Sequence, residues 1–236
     1  MAIGKRNQNN TGKAYSVKLK LKDGAKFLDC AEFEIQEKQG DKYVVLKGDA
    51  LKAFAGSDGP IYDVAGDLIS VDTRQGEFEG SPILNVTLGL KDSERNEIYF
   101  VGYVLSSNLG RGLSNSLLNL QAFNDVQIGL YSQTNKETKK VYPAVALRQG
   151  ENQTTVKWKF DPKVTEELLP RTFAGKGGKT EKDFTDADNF LFAKIAEFGK
   201  TVKANPVKSA SAPAATQASV ENEAPASSGS DEDVPF

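Results

Sequence analysis

The 236-residue sequence predicts an all-β-dominated fold: a five-stranded Greek-key barrel with extra N-terminal strands, a helix between the third and fourth barrel strands, and a C-terminal helix. Three observations predict it. Apolar and polar residues alternate with a period of two through most of residues 15–148, as in strands with one buried face. One stretch breaks that alternation with Leu117, Leu118, Leu120 and Phe123 at helical spacing. A second helical stripe, Leu191, Ile195, Phe198 and Val202, closes the body.

Residues 1–13 are polar, rich in Gly and Asn, carry Lys5, Arg6 and Lys13, and read as a flexible N-terminal arm. The first strand follows, with Tyr15, Val17, Leu19 and Leu21 on one face and Lys18, Lys20 and Lys22 among the residues on the other. Lysines on such a face either protect an edge strand or meet phosphates. Segments 31–36 and 42–47 read as short strands and 49–55 as a helical turn. Strands are predicted at 62–73, 82–91, 97–105, 126–133 and 140–148, with a helix at 114–124 that starts after Gly110-Arg111-Gly112 and is capped by Ser114. Strand, strand, strand, helix, strand, strand is the order of an OB-fold.

The hairpins predict registers. A turn near Glu77 and Phe78 brings Val71 to Leu84. A turn about Glu94 sets Leu84, Leu88 and Leu90 against Val104, Phe100 and Ile98, which leaves Tyr99 and Tyr103 on the outer face. A turn between Lys136 and Glu137 puts Tyr131 opposite Tyr142, again outside. A further strand at 155–160 alternates apolar with basic, so Trp158 shares a face with Val156 and Phe160 and reads either as core or as a base contact. A short helix follows Asp161-Pro162, and Thr185 to Asp188 reads as a capping box ahead of the last helix.

Composition excludes several chemistries. The chain has no histidine and one cysteine, Cys30, so a Ser-His-Asp triad and an intrachain disulfide are out, and a zinc site lacks ligands. Cys30 reads as a small core residue in a reducing compartment. The N-terminus has no signal-peptide-like apolar stretch, and no run of about 18 apolar residues occurs, which predicts a cytoplasmic protein away from membranes. The segment from Ala174 to Thr180 ends like a phosphate-binding P-loop, but Phe173 stands where its first glycine belongs. Glu77 with Glu79 and Asp186 with Asp188 are carboxylate pairs on which nothing converges. No metal, cofactor or catalytic residue is predicted.

Unpaired bases need aromatic faces, and a single strand needs cations along a groove. Tyr99, Tyr103, Tyr131 and Tyr142 fall on predicted outer faces, with Phe78 and Trp158 as further aromatic candidates. Around them lie Arg74, Lys91, Arg95, Arg111, Lys136, Lys139, Lys140 and Arg148. The loops at 75–80 and 136–140 are the two that flank nucleic acid in OB-folds.

Charge is divided unevenly. Residues 1–203 carry 29 Lys and Arg against 27 Asp and Glu, net +2, whereas residues 204–236 carry 1 against 5, net −4. The latter stretch is Ala, Ser, Pro, Asn and Glu with almost no aliphatic bulk and reads as a disordered linker with a span of roughly 30 Å. It ends in Asp231, Glu232, Asp233, Val234, Pro235 and Phe236, an acidic tip with one aromatic anchor suited to a basic-rimmed pocket on a partner.

A body at 14–203, a low-complexity linker and an acidic tip ending in Pro235-Phe236 resemble the single-stranded DNA-binding proteins of bacteria and, given residues 1–60, those of bacteriophages in particular. Val234 stands where that family usually has isoleucine, and Glu232 where it has aspartate. The resemblance implies a non-enzymatic protein that binds single-stranded DNA during replication, recombination or repair and recruits partner proteins through residues 231–236. Two rivals stay open: a DNA-binding or strand-annealing protein that also accepts duplex, and an interaction module without a DNA role.

Overall fold

The computed structural model describes residues 13–21, 31–56, 61–134, 139, 141–150, 152–175 and 180–205. Outside these lie Cys30, Lys136, Lys140, nearly all of the expected arm, and the expected linker and tip from residue 206 onward. The elements are β1 (Lys13–Leu21), β2 (Ala31–Gln39), β3 (Lys42–Val45), α1 (Gly48–Ala55), β4 (Asp63–Phe78), β5 (Ser81–Asp92), β6 (Glu97–Val104), α2 (Asn108–Leu117), β7 (Val126–Thr134), β8 (Val141–Gln149), β9 (Thr154–Thr155), β10 (Arg171–Ala174), β11 (Thr180–Asp183) and α3 (Thr185–Ala204). The chain is sheet-dominated, as its alternation predicts.

Nine strands form one mixed sheet in the order β3-β2-β1-β6-β5-β4-β7-β8-β9, and β10 and β11 form a separate hairpin. The predicted order of three strands, a helix and two strands is present as β4, β5, β6, α2, β7 and β8. These five strands do not close on themselves. The second edge of β6 takes β1 in parallel, with Tyr15 beside Tyr99 and Val17 beside Val101. An aromatic cluster favours that pairing: Tyr15 lies 4.8 Å from Phe54 of α1 and 5.9 Å from Tyr99 between ring centroids.

The core lies on the inner face of this sheet. Val86, Leu88 and Leu90 of β5, Val101 of β6, and Val126 and Ile128 of β7 are buried there with Leu113 and Leu117 of α2 and Leu191 and Ile195 of α3. The last helix packs on β4 and fills its register of 191, 195 and 202 as the sequence predicts. Its neighbour Phe198 meets Phe123 edge-on at 5.8 Å. Among the described residues, no helix is long and apolar enough to cross a membrane.

Three registers differ from expectation. The β4–β5 turn is the pair Glu79-Gly80, both at positive φ, so Val71 faces Leu88 rather than Leu84. Gly80 takes this left-handed geometry without the penalty a side chain incurs. The shift is even, so each side chain keeps its face. The β7–β8 register also moves by an even step, and Tyr131 pairs with Ala144 while Tyr142 pairs with Gln133.

The β5–β6 register moves by one residue, which turns β6 over. Asp92 pairs with Glu97, Leu90 with Tyr99, Leu88 with Val101 and Val86 with Tyr103. The cause is a four-residue loop in which Asp92 Oδ1 accepts from the Glu94 and Arg95 amides and Asn96 adopts positive φ. Tyr99 and Tyr103 therefore point inward, and Phe100 and Val104 outward.

Helix boundaries differ as well. The helix α2 begins six residues earlier than predicted, capped by Ser107, whose Oγ accepts from the Gly110 amide at 2.9 Å. Gly110-Arg111-Gly112, expected to precede the helix, sits inside it, Ser114 is a buried interior residue, and the helix ends at Leu117 rather than 124. The capping box at 185–188 does not form. Asp183 accepts instead from the Thr185 amide and hydroxyl, two bonds that hold its carboxyl below its ordinary value. The predicted strand at 155–160 shrinks to Thr154–Thr155.

Candidate nucleic-acid interface

Inversion of β6 decides which aromatic rings are accessible. Tyr99 is 0 % exposed and Tyr103 7 %. Each buried phenol is satisfied: Tyr99 donates to Glu97 Oε2 at 2.8 Å, and the Tyr103 hydroxyl shares a 3.0 Å bond with Ser114 Oγ. Burial raises both phenols well above their ordinary range, and for Tyr99 the Glu97 carboxylate adds to the rise. Neither ring is available to a base, so their predicted outer-face position is corrected.

The ring that replaces them is Phe100. On the outer face it lies between Ser16 of β1 and Gly89 of β5. It forms part of a groove of about 660 Å³ walled by Tyr43 and Val104 and lined by Lys18, Asn85 and Thr87. Gly102 leaves the floor flat, since nothing lies within 4 Å of where its side chain would begin. Ser107 and Leu109, at the start of α2, also line it. An accessible ring on a flat sheet, next to a lysine and amide and hydroxyl groups, suits a stacked base and its phosphate.

Cross-strand rows place two predicted cations beside this groove. Arg74, Asn85 and Val104 form one row, and Lys91 and Ile98 another, so a cation stands near each end of the outer face of β6. The face is not uniformly basic. Lys18 lies opposite Glu34, and Asp72, on the row of Thr87, accepts from Lys203 at 2.7 Å.

The other predicted residues divide into held and exposed. Arg111 makes a two-pronged pair with Asp188 of α3, at 2.6 and 3.0 Å, and stacks over Phe184 at 4.3 Å. Expected among the cations around the outer tyrosines, Arg111 instead uses its guanidinium to join α2 to α3. Arg95 pairs with Asp92 at 3.5 Å, and Arg148 reaches Asp63 at 3.5 Å and Gln127 at 3.3 Å. Tyr131 and Tyr142 are exposed, at 40 % and 48 %, as predicted. They are diagonal rather than opposite neighbours, about 7–8 Å apart between Cα atoms. Trp158 is 53 % exposed and does not join Val156 and Phe160 inside. Lys139 is exposed, whereas the Phe78 side chain lies outside the described positions.

The two carboxylates of the pair at 186 and 188 go to different arginines. Asp188 is taken by Arg111 and Asp186 by Arg171 at 2.6 Å. Among the described residues, no group of three or more His, Cys, Asp or Glu side chains is placed to hold a metal ion.

Sequence reasoning missed Phe100, Tyr43 and Lys18 as neighbours in one groove. In Glu97–Val104 both parities are apolar, so alternation alone does not choose a face. The signal that does is Asp92 with Asn96, the residues of an Asx-stabilised four-residue loop. No family model matches this chain, and no curated protein or solved structure does either.

Proposed function

We propose that this chain is a non-enzymatic single-stranded DNA-binding protein of the kind its C-terminal tip resembles. In this reading β4 to β8 act as an OB-fold whose open edge is extended by β1, and DNA lies across the outer face of β5 and β6. The observation that carries the reading is the groove over Phe100, where an accessible ring, a flat glycine floor and Lys18 meet on one sheet surface. Arg74 and Lys91 flank the track, and Tyr131 with Tyr142 offers a second aromatic face on β7 and β8.

Function follows from binding alone. Stacking and phosphate contacts sequester exposed strands, while residues 231–236 recruit replication, recombination or repair proteins in the bacterial cytoplasm. The test is a titration of labelled oligothymidylate and of a labelled duplex with the full chain, between about 50 and 200 mM salt. Preference for the single strand at every salt concentration is expected. Equal affinity for duplex replaces this reading with the strand-annealing one, and absence of binding to either DNA leaves the interaction module.

A further inference from the structure

We infer that the DNA track continues beyond the Phe100 groove, over the first turns of α2, to a second stacking platform at Trp158. This rests on the single-strand reading above and adds the path of the strand.

Trp158 is displayed rather than loosely exposed. Its segment is pinned on both sides: Val156 N donates to Leu147 O at 2.8 Å, and Asn119 Nδ2 to Lys157 O at 3.2 Å. Beyond it, Lys159 N donates to Asn115 O at 3.1 Å, and the Asn115 side chain bonds both the amide and the carbonyl of Phe160, at 2.9 and 2.8 Å. The Phe160 ring is anchored 5.2 Å from Phe190. An indole half open to water on so fixed a backbone incurs little ordering cost when a flat ring settles on it.

Position gives the direction. The Trp158 indole lies against Gly112 of α2, 3.8 Å from where a side chain there would begin. Gly112 is three residues beyond Leu109, which lines the Phe100 groove. Residues three apart on a helix are neighbours, about 5–6 Å between Cβ atoms. A strand leaving the groove over Leu109 therefore meets Trp158 one turn further on. Exposed Lys157 and Lys159 flank it, supplying cations for the backbone that a protein partner's apolar surface would not need.

Trp158 is the chain's single tryptophan, so its emission reports this platform alone. The experiment titrates the full chain with oligothymidylates from about 4 to about 16 nucleotides, following binding by competition anisotropy and contact by tryptophan emission. Binding at all lengths is expected, with emission unchanged by the shortest strand and quenched by the longest. Trp158→Ala is expected to weaken the longest by about 5- to 150-fold and the shortest not at all, whereas Phe100→Ala weakens every length. Unquenched emission while long strands bind, or a Trp158→Ala effect equal at all lengths, overturns the second platform and leaves the groove standing. No binding by the wild-type chain at any length overturns the groove, and the extension with it.

Discussion

Substitution of two adjacent residues, Tyr99 and Phe100, separates the two faces of β6. Tyr99→Phe removes a hydroxyl that donates to the Glu97 carboxylate at 2.8 Å inside the core. A bond to a charged acceptor contributes about 1.5–3 kcal/mol, so unfolding in urea is expected to show a loss of that size while oligonucleotide affinity stays at the wild-type value. Phe100→Ala does the reverse. Its cross-strand neighbours are Ser16 and Gly89, and the ring is only partly buried. The stability cost therefore stays below about 2 kcal/mol, the lower part of the range for burying such a side chain fully. Loss of a stacked base costs about 1–3 kcal/mol of binding, a weakening of about 5- to 150-fold in anisotropy titrations. The register that alternation alone suggests puts the Tyr99 hydroxyl in solvent and the Phe100 ring in the core, so there Tyr99→Phe costs no stability and Phe100→Ala costs a core residue. Unchanged stability in Tyr99→Phe, or a core-sized loss of about 3–5 kcal/mol in Phe100→Ala, refutes the inverted strand and the groove with it.

Further outcomes test other parts of the molecule. Arg111→Ala leaves the Asp188 carboxylate without its fork, and a stability loss of about 3 kcal/mol is expected with DNA affinity intact; lost affinity at unchanged stability returns Arg111 to the binding site. Combined Tyr131→Ala and Tyr142→Ala is expected to weaken single-strand binding by about 2–6 kcal/mol if each ring stacks a base, and a folded double mutant of wild-type affinity removes that face. Tyr99 and Tyr103 bind their protons more tightly folded than unfolded, because burial disfavours the phenolate. Above the ordinary tyrosine value of about 10 the unfolded chain thus releases protons the folded chain keeps, and stability falls as pH rises. Phenolate absorbance is expected to stop short of all seven tyrosines until alkaline unfolding completes the rise. Deleting residues 231–236 is expected to tighten DNA binding most at low salt, where the tip's charges compete with phosphates; unchanged affinity there leaves recruitment as its only role.

By itself the sequence determined the sheet-dominated architecture, the order of β4 to β8 around one helix, the stripe of α3 and the inner faces of β5 and β7. Each of these rests on a local pattern: period two in strands, spacing of three and four in a helix, apolar residues on one parity only. Even errors in register left such faces intact, as at β4–β5 and β7–β8. Glu97–Val104 is apolar on both parities, so a one-residue change in its turn inverts the strand without leaving a sign in its composition. Tertiary structure alone decided that Tyr99 belongs with Tyr15 and Phe54, that Phe100 stands in a groove, and that Arg111 serves Asp188 some 77 positions away. It also decided that β1 takes the open edge of β6, and that Asn115 and Asn119 hold Trp158 out to solvent. These outcomes depend on partners far away in the chain. The free energy that selects them comes from filling a shared core and satisfying its polar groups, which no local spacing records.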